Sequence, residues 1–305
     1  MSNNTLSYKQ SMQPWPAIAQ YARMVNLQTL NLNLFYYQAG FHHKQQIVML
    51  HGLGDEADTW RHVLLPLSED YQTLAIDLPG FGRSDQPNVK YTPQYLSNAV
   101  IAFMDQLHIT SAILMGSSLG AMLAQAMAIS HPDRIDGLIL VGGGLVQAEP
   151  IQDWRIKMMA TPFLGEWLYS RLRKDPQAAF ETLHSVYHQL EKLPKADREF
   201  LFTRVNQRVW SDGQRRAYLS TLRNIAAWIK KYQPNLPEQL QQVSCPTLII
   251  RGEHDQLFTE RNADEILKTQ PNTEKAIILN VGHLPHQEAL QQFIDLTRSW
   301  LIKNF

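Results

Sequence analysis

The chain contains a single cysteine, Cys245, in 305 residues, so no internal disulfide can form. It has no excess of either charge: 28 Lys and Arg balance 28 Asp and Glu. Without a basic field there is no electrostatic footprint for nucleic acid, and none is expected as a partner. No apolar run approaches the roughly 20 residues of a membrane span. The opening Met1-Ser2-Asn3-Asn4-Thr5 lacks the basic and apolar regions of a secretory leader. Together these absences lead to the expectation of a soluble, cytoplasmic protein. There is also no internal repeat, low-complexity tract, nucleotide loop or cluster of residues with metal-ligand spacing, so no cofactor and no metal are expected.

What is present is a chain large enough for a sizeable core, with 44% hydrophobic residues. Short apolar runs alternate with helical segments such as Leu96 to Leu107 and Ala121 to Ser130. That alternation predicts an α/β protein with a mostly parallel sheet and helices on both faces. Gln28 to Tyr37, alternating through Leu30, Leu32 and Leu34, predicts an antiparallel pair opening the sheet.

The chemistry centres on Gly116-Ser117-Ser118-Leu119-Gly120, which follows the apolar run Ala112 to Met115 and opens a helical stretch. A G-x-S-x-G pentapeptide between strand and helix presents its serine at a sharp reversal, and the glycines let strand and helix approach closely. Ser118 is the expected nucleophile. A serine needs a base, and the base an orienting acid. His283 follows the apolar run Ala276 to Leu279, which reads as a buried strand; His286, a turn later, is its competitor. Asp255 follows the run Pro246 to Ile250, with Glu253 closer to the strand end as the alternative acid. Gln46 to Leu50 runs into His51-Gly52-Leu53-Gly54, a glycine-bearing turn suited to aim a backbone N–H at a carbonyl oxygen. The N–H groups of Leu53 and Leu119 are the expected oxyanion donors. His51 is read as a support for that loop rather than a second base.

These motifs, with Trp60, the loop Asp77-Leu78-Pro79-Gly80-Phe81-Gly82-Arg83-Ser84-Asp85 and Gly282-His283-Leu284-Pro285, resemble the α/β-hydrolase fold superfamily, in its branch with a helical cap. The Ser, Asp, His order along the chain is the order of that family. The resemblance implies a core of residues 1–145 and 238–305, with a cap of residues 146–237 inserted after the sixth strand. Within the insert, Trp154, Met158, Met159, Phe163, Leu164, Trp167 and Leu168 have helical spacing and are read mostly as the insert's own core, a minority facing Ser118. The residues expected to border the substrate pocket are His51, Gly52, Ser117 and Leu284, and Met158, Phe163 and Trp167 from the insert. Arg171, Arg173, Lys174, Arg215 and Arg216 are read as solvated helix faces, with a grip of the arginines on a substrate carboxylate as the alternative. Pro14-Trp15-Pro16 is expected to pack on the insert or to form an oligomer contact; monomer and homodimer both stay open.

The activity this implies is hydrolysis of a small-molecule ester of small to medium acyl size, through an acyl-enzyme. Related enzymes with an aspartate nucleophile open epoxides or remove halide, which a serine at position 118 argues against. The alternatives are a C–C bond hydrolase of vinylogous diketones, many of which carry Trp after the catalytic histidine where this chain has Leu284, a thioesterase, lactonase or perhydrolase, and a slow-turnover ligand receptor with the same pocket.

Overall fold

The computed structural model describes Tyr8, residues 11–146 and residues 154–305. The expectations that fall on residues 1–5 and on 147–153 of the insert therefore lie outside the described residues. Eight strands form one sheet: β1 (Ala22–Leu27), β2 (Leu32–Ala39), β3 (Gln46–Leu50), β4 (Gln72–Ile76), β5 (Ala112–Ser117), β6 (Ile135–Val141), β7 (Thr247–Gly252) and β8 (Thr273–Ile278). Their spatial order is β1-β2-β4-β3-β5-β6-β7-β8. The first two strands run antiparallel to their neighbours and all later pairs are parallel. The opening hairpin starts earlier than the alternation of Leu30, Leu32 and Leu34 suggests. Gln28 to Asn31 form its turn, with Leu30 N–H bonded to the Leu27 carbonyl and Asn31 in the left-handed region at φ 48°.

The parallel strands read as unbroken apolar runs because both their faces are covered. Val48, Leu50, Leu74, Ile76, Leu114 and Leu138 point to one side, while Ile47, Met49, Ala75, Ile113, Met115 and Ile139 point to the other. After the short α1 (Leu64–Leu67) come α2 (Pro93–Gln106) and α3 (Leu119–Ser130), whose Leu96, Val100, Phe103, Leu123 and Met127 fill the first side. Thr92 caps α2 by accepting from Tyr95 N–H.

Between β6 and β7 the described chain holds only helices: α4 (Trp154–Ala160), α5 (Leu164–Arg171), α6 (Pro176–Glu181), α7 (Lys195–Trp210), α8 (Asp212–Tyr232) and α9 (Leu236–Gln241), with 3-10 turns among them. After β7 come α10 (Glu260–Thr269), α11 (Pro285–Glu288) and α12 (Leu290–Asn304), the last burying Phe293, Ile294, Trp300 and Leu301 on the second side. No described helix is long and apolar enough to cross a membrane.

Two expectations are corrected. β8 is not a buried strand: it lies at the sheet edge with most residues half-buried, and Leu279 just beyond it is exposed. Trp154, Phe163 and Trp167 are not core of the insert; they are 63%, 88% and 53% exposed. Helical spacing places residues on one face but does not say what covers it. The insert's interior is instead built from Tyr169, Ala179, Val205 and Val209 and from Phe180, Tyr187, Leu190, Leu193 and Leu201. The named basic residues do lie at the surface, Arg171, Lys174 and Arg216 exposed and Arg173 and Arg215 half-buried, where Arg173 and Arg215 pair with Asp212, Arg216 bonds the Gln86 carbonyl and Arg171 lies over the Trp167 ring. Trp15 does meet the insert, its ring packing edge-on against Phe200 of α7 with centroids 5.0 Å apart.

Burial fixes the expected stability pattern. Phe103→Ala removes a fully buried ring that packs edge-on against Tyr36. It should cost about 3–5 kcal/mol in urea unfolding. Phe163→Ala should stay within about 0.5 kcal/mol of wild type, because that ring faces solvent.

Candidate active site

Because β3 to β8 are all parallel, the loops that follow them emerge at one edge of the sheet. Beyond that edge, where the order reverses at β3 between β4 and β5, an open α/β sheet leaves its crevice. Four of the predicted features lie there: the Gly52–Asp55 turn after β3, Ser118 after β5, Asp255 after β7 and His283 after β8.

Ser118 sits at φ 53° and ψ −113°, a conformation L-residues rarely adopt, and one that costs on the order of 1–3 kcal/mol unless its surroundings enforce it. They do. A Cβ on Gly116 would lie 2.3 Å from the Gly120 carbonyl, and one on Gly120 would lie 2.3 Å from the Leu50 carbonyl oxygen. Strand β5, helix α3 and the end of β3 thus meet at backbone distance. Ser118 N–H donates to the Val141 carbonyl at 2.8 Å, and its own carbonyl accepts from Ala121 and Met122. Its hydroxyl makes no cap bond to α3, which leaves it for chemistry.

Asp255 and His283 form a buried pair, with His283 Nδ1 2.9 Å from both carboxylate oxygens. Nδ1–H therefore donates and Nε2 is the acceptor nitrogen. Asp255 is itself held by Leu257 and Phe258 N–H, which donate to Oδ1 at 2.9 and 3.0 Å. The glycines after β6 join this pair to Ser118. A Cβ on Gly142, at φ 55°, would lie 3.1 Å from His283 Nδ1, and one on Gly143 would lie 2.4 Å from the Ser118 carbonyl oxygen. The competitors are engaged elsewhere. Glu253 accepts from Asn280 N–H, and His254 stacks on His188. His286 is buried between Trp60 and Phe293 with Nε2 bonded to Thr59. Burial, then Arg61 and His283, push its pKa down to about 3, so it is neutral.

The Gly52–Asp55 turn closes through Asp55 N–H donating to the Gly52 carbonyl at 3.2 Å. It passes directly over Ser118: a Cβ on Gly52 would touch Ser118 Cβ at 3.4 Å. His51 braces it. Its Nδ1–H donates to the Gly52 carbonyl at 2.7 Å, and its Nε2 accepts from Leu78 N–H at 3.0 Å. With both nitrogens spent and the ring fully buried, His51 is a support and not a pocket wall. Leu53 is central in this turn, and Leu119 is the first residue of α3, whose N–H has no intrahelical partner.

The expected pocket residues separate. Gly52 and the buried Ser117 border Ser118, and Met158 is half-buried. Phe163 and Trp167 face solvent instead of a pocket. Leu284 turns into the insert, where it joins Phe180, Tyr187 and Leu190. The feature sequence reasoning missed is a buried ionic network beside the turn. Arg204 and Arg208 of α7 grip Glu56, with Arg204 Nε 3.2 Å from Oε1 and Arg208 Nε 2.6 Å from Oε2. Arg208 also bonds Asp55, and Arg204 reaches Asp58. Arg83 bonds Asp58 and Asp77, and Arg61 bonds Asp197. Burial pushes the Glu56 carboxyl up, but Arg208 and Arg204 override it and hold its pKa at about 2. The available signal was the four-residue spacing of Arg204 and Arg208 on one helix face.

The family model described as alpha/beta hydrolase fold matches residues 46–290. A 2-hydroxy-6-oxononadienedioate/2-hydroxy-6-oxononatrienedioate hydrolase of Pseudomonas putida is 26% identical over 278 residues, covering 89% of this chain and 92% of that one. A meta-cleavage product hydrolase of Pseudomonas fluorescens is similar in structure at TM-score 0.77 and 21% identity, covering 92% of this chain and 97% of its own. A thermophilic esterase of Thermogutta terrifontis matches at TM-score 0.74 and 20% identity, covering 92% and 98%.

The buried neutral His286 has a consequence for stability. Its pKa is 6.5 without burial and about 3 when folded, so between those values the unfolded chain binds more protons. Its contribution is complete above about pH 6.5 and is lost as pH falls, by up to about 1.4 kcal/mol per pH unit. His286→Phe should flatten the urea midpoint between pH 6.5 and 4.5 relative to wild type.

Proposed function

Since the chain belongs to the alpha/beta hydrolase fold family, we propose that it is a serine hydrolase of neutral carboxylic esters, with residues 146–237 acting as a cap. The observation that carries this is the buried Asp255–His283 pair joined through Gly142 and Gly143 to the strained Ser118. His283 Nε2 takes the Ser118 proton as the oxygen attacks the ester carbonyl, and the Leu53 and Leu119 N–H groups stabilise the oxyanion. Collapse expels the alcohol, which takes the proton from His283. Water, deprotonated by the same nitrogen, then releases the acid and restores Ser118.

Charge favours esters over the C–C substrates. The Pseudomonas putida relative is named for a dienedioate, a substrate with two carboxylates. Recognising such a substrate calls for an unspent cation. Beside the turn, however, Arg61, Arg83, Arg204 and Arg208 are all matched by Asp55, Glu56, Asp58, Asp77 and Asp197. With four guanidinium groups facing five carboxylates, that network has no cation left over for a substrate carboxylate.

Initial rates on p-nitrophenyl esters test the reading. Repeated turnover is expected, with Ser118→Ala reduced by at least about 1000-fold and Asp255→Asn by about 10,000-fold. p-Nitrophenyl hexanoate should be preferred over the mono-p-nitrophenyl ester of adipate, which adds one carboxylate at matched length. Wild type that is inert on every ester but bleaches a dienol keto acid would replace this reading with C–C hydrolysis. Ligand binding without turnover of either class would replace it with a receptor.

A further inference from the structure

We propose that Arg208 of α7 is a positioning residue for the oxyanion turn, acting through Asp55 and Glu56; this rests on the serine hydrolase reading above. The turn that carries Leu53 N–H is weak in itself. Glycine stands on either side of Leu53, Gly54 lies at φ 77°, and such a segment loses much conformational freedom when fixed. An oxyanion donor must nonetheless be placed to within a few tenths of an ångström.

The near end of the turn is held by His51 and the Asp55 N–H, both on the Gly52 carbonyl. The far end is held from the insert. One guanidinium, that of Arg208, bonds the carboxylates of two consecutive residues, Asp55 and Glu56, with Nε on Glu56 Oε2 at 2.6 Å. A planar fork shared by two adjacent carboxylates fixes direction as well as distance, which a single ammonium does not. Arg204 takes the other Glu56 oxygen, and Ala57 N–H donates to Asp77 Oδ1 at 2.7 Å, so the segment after the turn has no slack. The Tyr218 ring of α8 closes over Gly54, where a Cβ would lie 2.9 Å away. The insert thereby sets the donor geometry of the core, although Arg208 itself need touch no substrate.

The test uses the full chain and its Arg208→Gln, Arg208→Lys and Asp55→Asn variants on a neutral p-nitrophenyl ester. Two inhibitors of the same acyl length are compared: a trifluoromethyl ketone, whose hemiketal with Ser118 places an oxyanion in the hole, and the plain methyl ketone. Arg208→Gln should lose about 30- to 100-fold in kcat with KM changed less than about threefold. The trifluoromethyl ketone should weaken in parallel with kcat, methyl ketone binding should hold, and lysine should restore part of the loss. Asp55→Asn keeps the Arg208–Glu56 pair and should lose about tenfold in the same pattern, which carries the comparison if Arg208→Gln does not fold. Unchanged kcat and trifluoromethyl ketone affinity would overturn the proposal. So would an equal loss for both ketones with a lowered urea midpoint, which marks Arg208 as a docking contact alone. If wild type neither hydrolyses the ester nor is labelled at Ser118 by a fluorophosphonate, the serine hydrolase reading falls, and the proposal with it.

Discussion

The chain reversal at Ser118 is the constraint on which the rest of the site depends. A residue with a side chain is held where backbone sterics disfavour it, and the energy to hold it comes from three strands and a helix in backbone contact around it. Gly116, Gly120 and Gly143 are the points of that contact, and a methyl group at any of them would collide with main chain. The tight join fixes α3 against β3 and β5, which in turn fixes the turn after β3 and the glycines after β6. Strain at one residue is thus the visible end of a packing arrangement that spans the middle of the sheet.

Around this join the molecule spends charge rather than apolar surface. Burying carboxylates and guanidinium groups is costly unless each finds its partner, and losing one partner leaves the other stranded. Glu56 and Arg204 are almost wholly buried, and each is bonded to two ionic partners or more. Such a network adds little net stability but fixes register. It ties α7 to the loop after β3 in one arrangement, where an apolar seam would allow several.

The elements that repeat a local pattern were legible in the sequence. Both-face burial wrote β3 to β7 as apolar runs, and the turn at Gly52, the elbow and the Asp255 loop each follow such a run. The pairing of Asp255 with His283 that the sequence leads one to expect is present as a contact, while Glu253, the alternative, accepts from Asn280 N–H. What stayed hidden lacks local periodicity. The Arg208–Glu56 bond joins residues 152 positions apart, and nothing near either one in sequence names the other. The exposure of Phe163 and Trp167 was equally invisible, because helical spacing defines a face without naming its neighbour. β8 misled for the opposite reason: its apolar composition suits the interior, while its place in the order puts it at the rim.

The insert is also sewn to the histidine loop at the far side of the site. His283 N–H donates to the Val186 carbonyl, and Glu288 accepts from Gly282 with one oxygen and from His188 and Gln189 with the other. The helices between β6 and β7 are therefore not an exchangeable module. A chimaera that grafted a relative's helices onto this sheet would keep these bonds only if its backbone passed the histidine loop on the same path, because two of the Glu288 donors and the His283 acceptor are main-chain groups. Recombination at the strand boundaries would hold the histidine loop only where that path matched, and an exchange that carried the loop along with the helices would remove the condition.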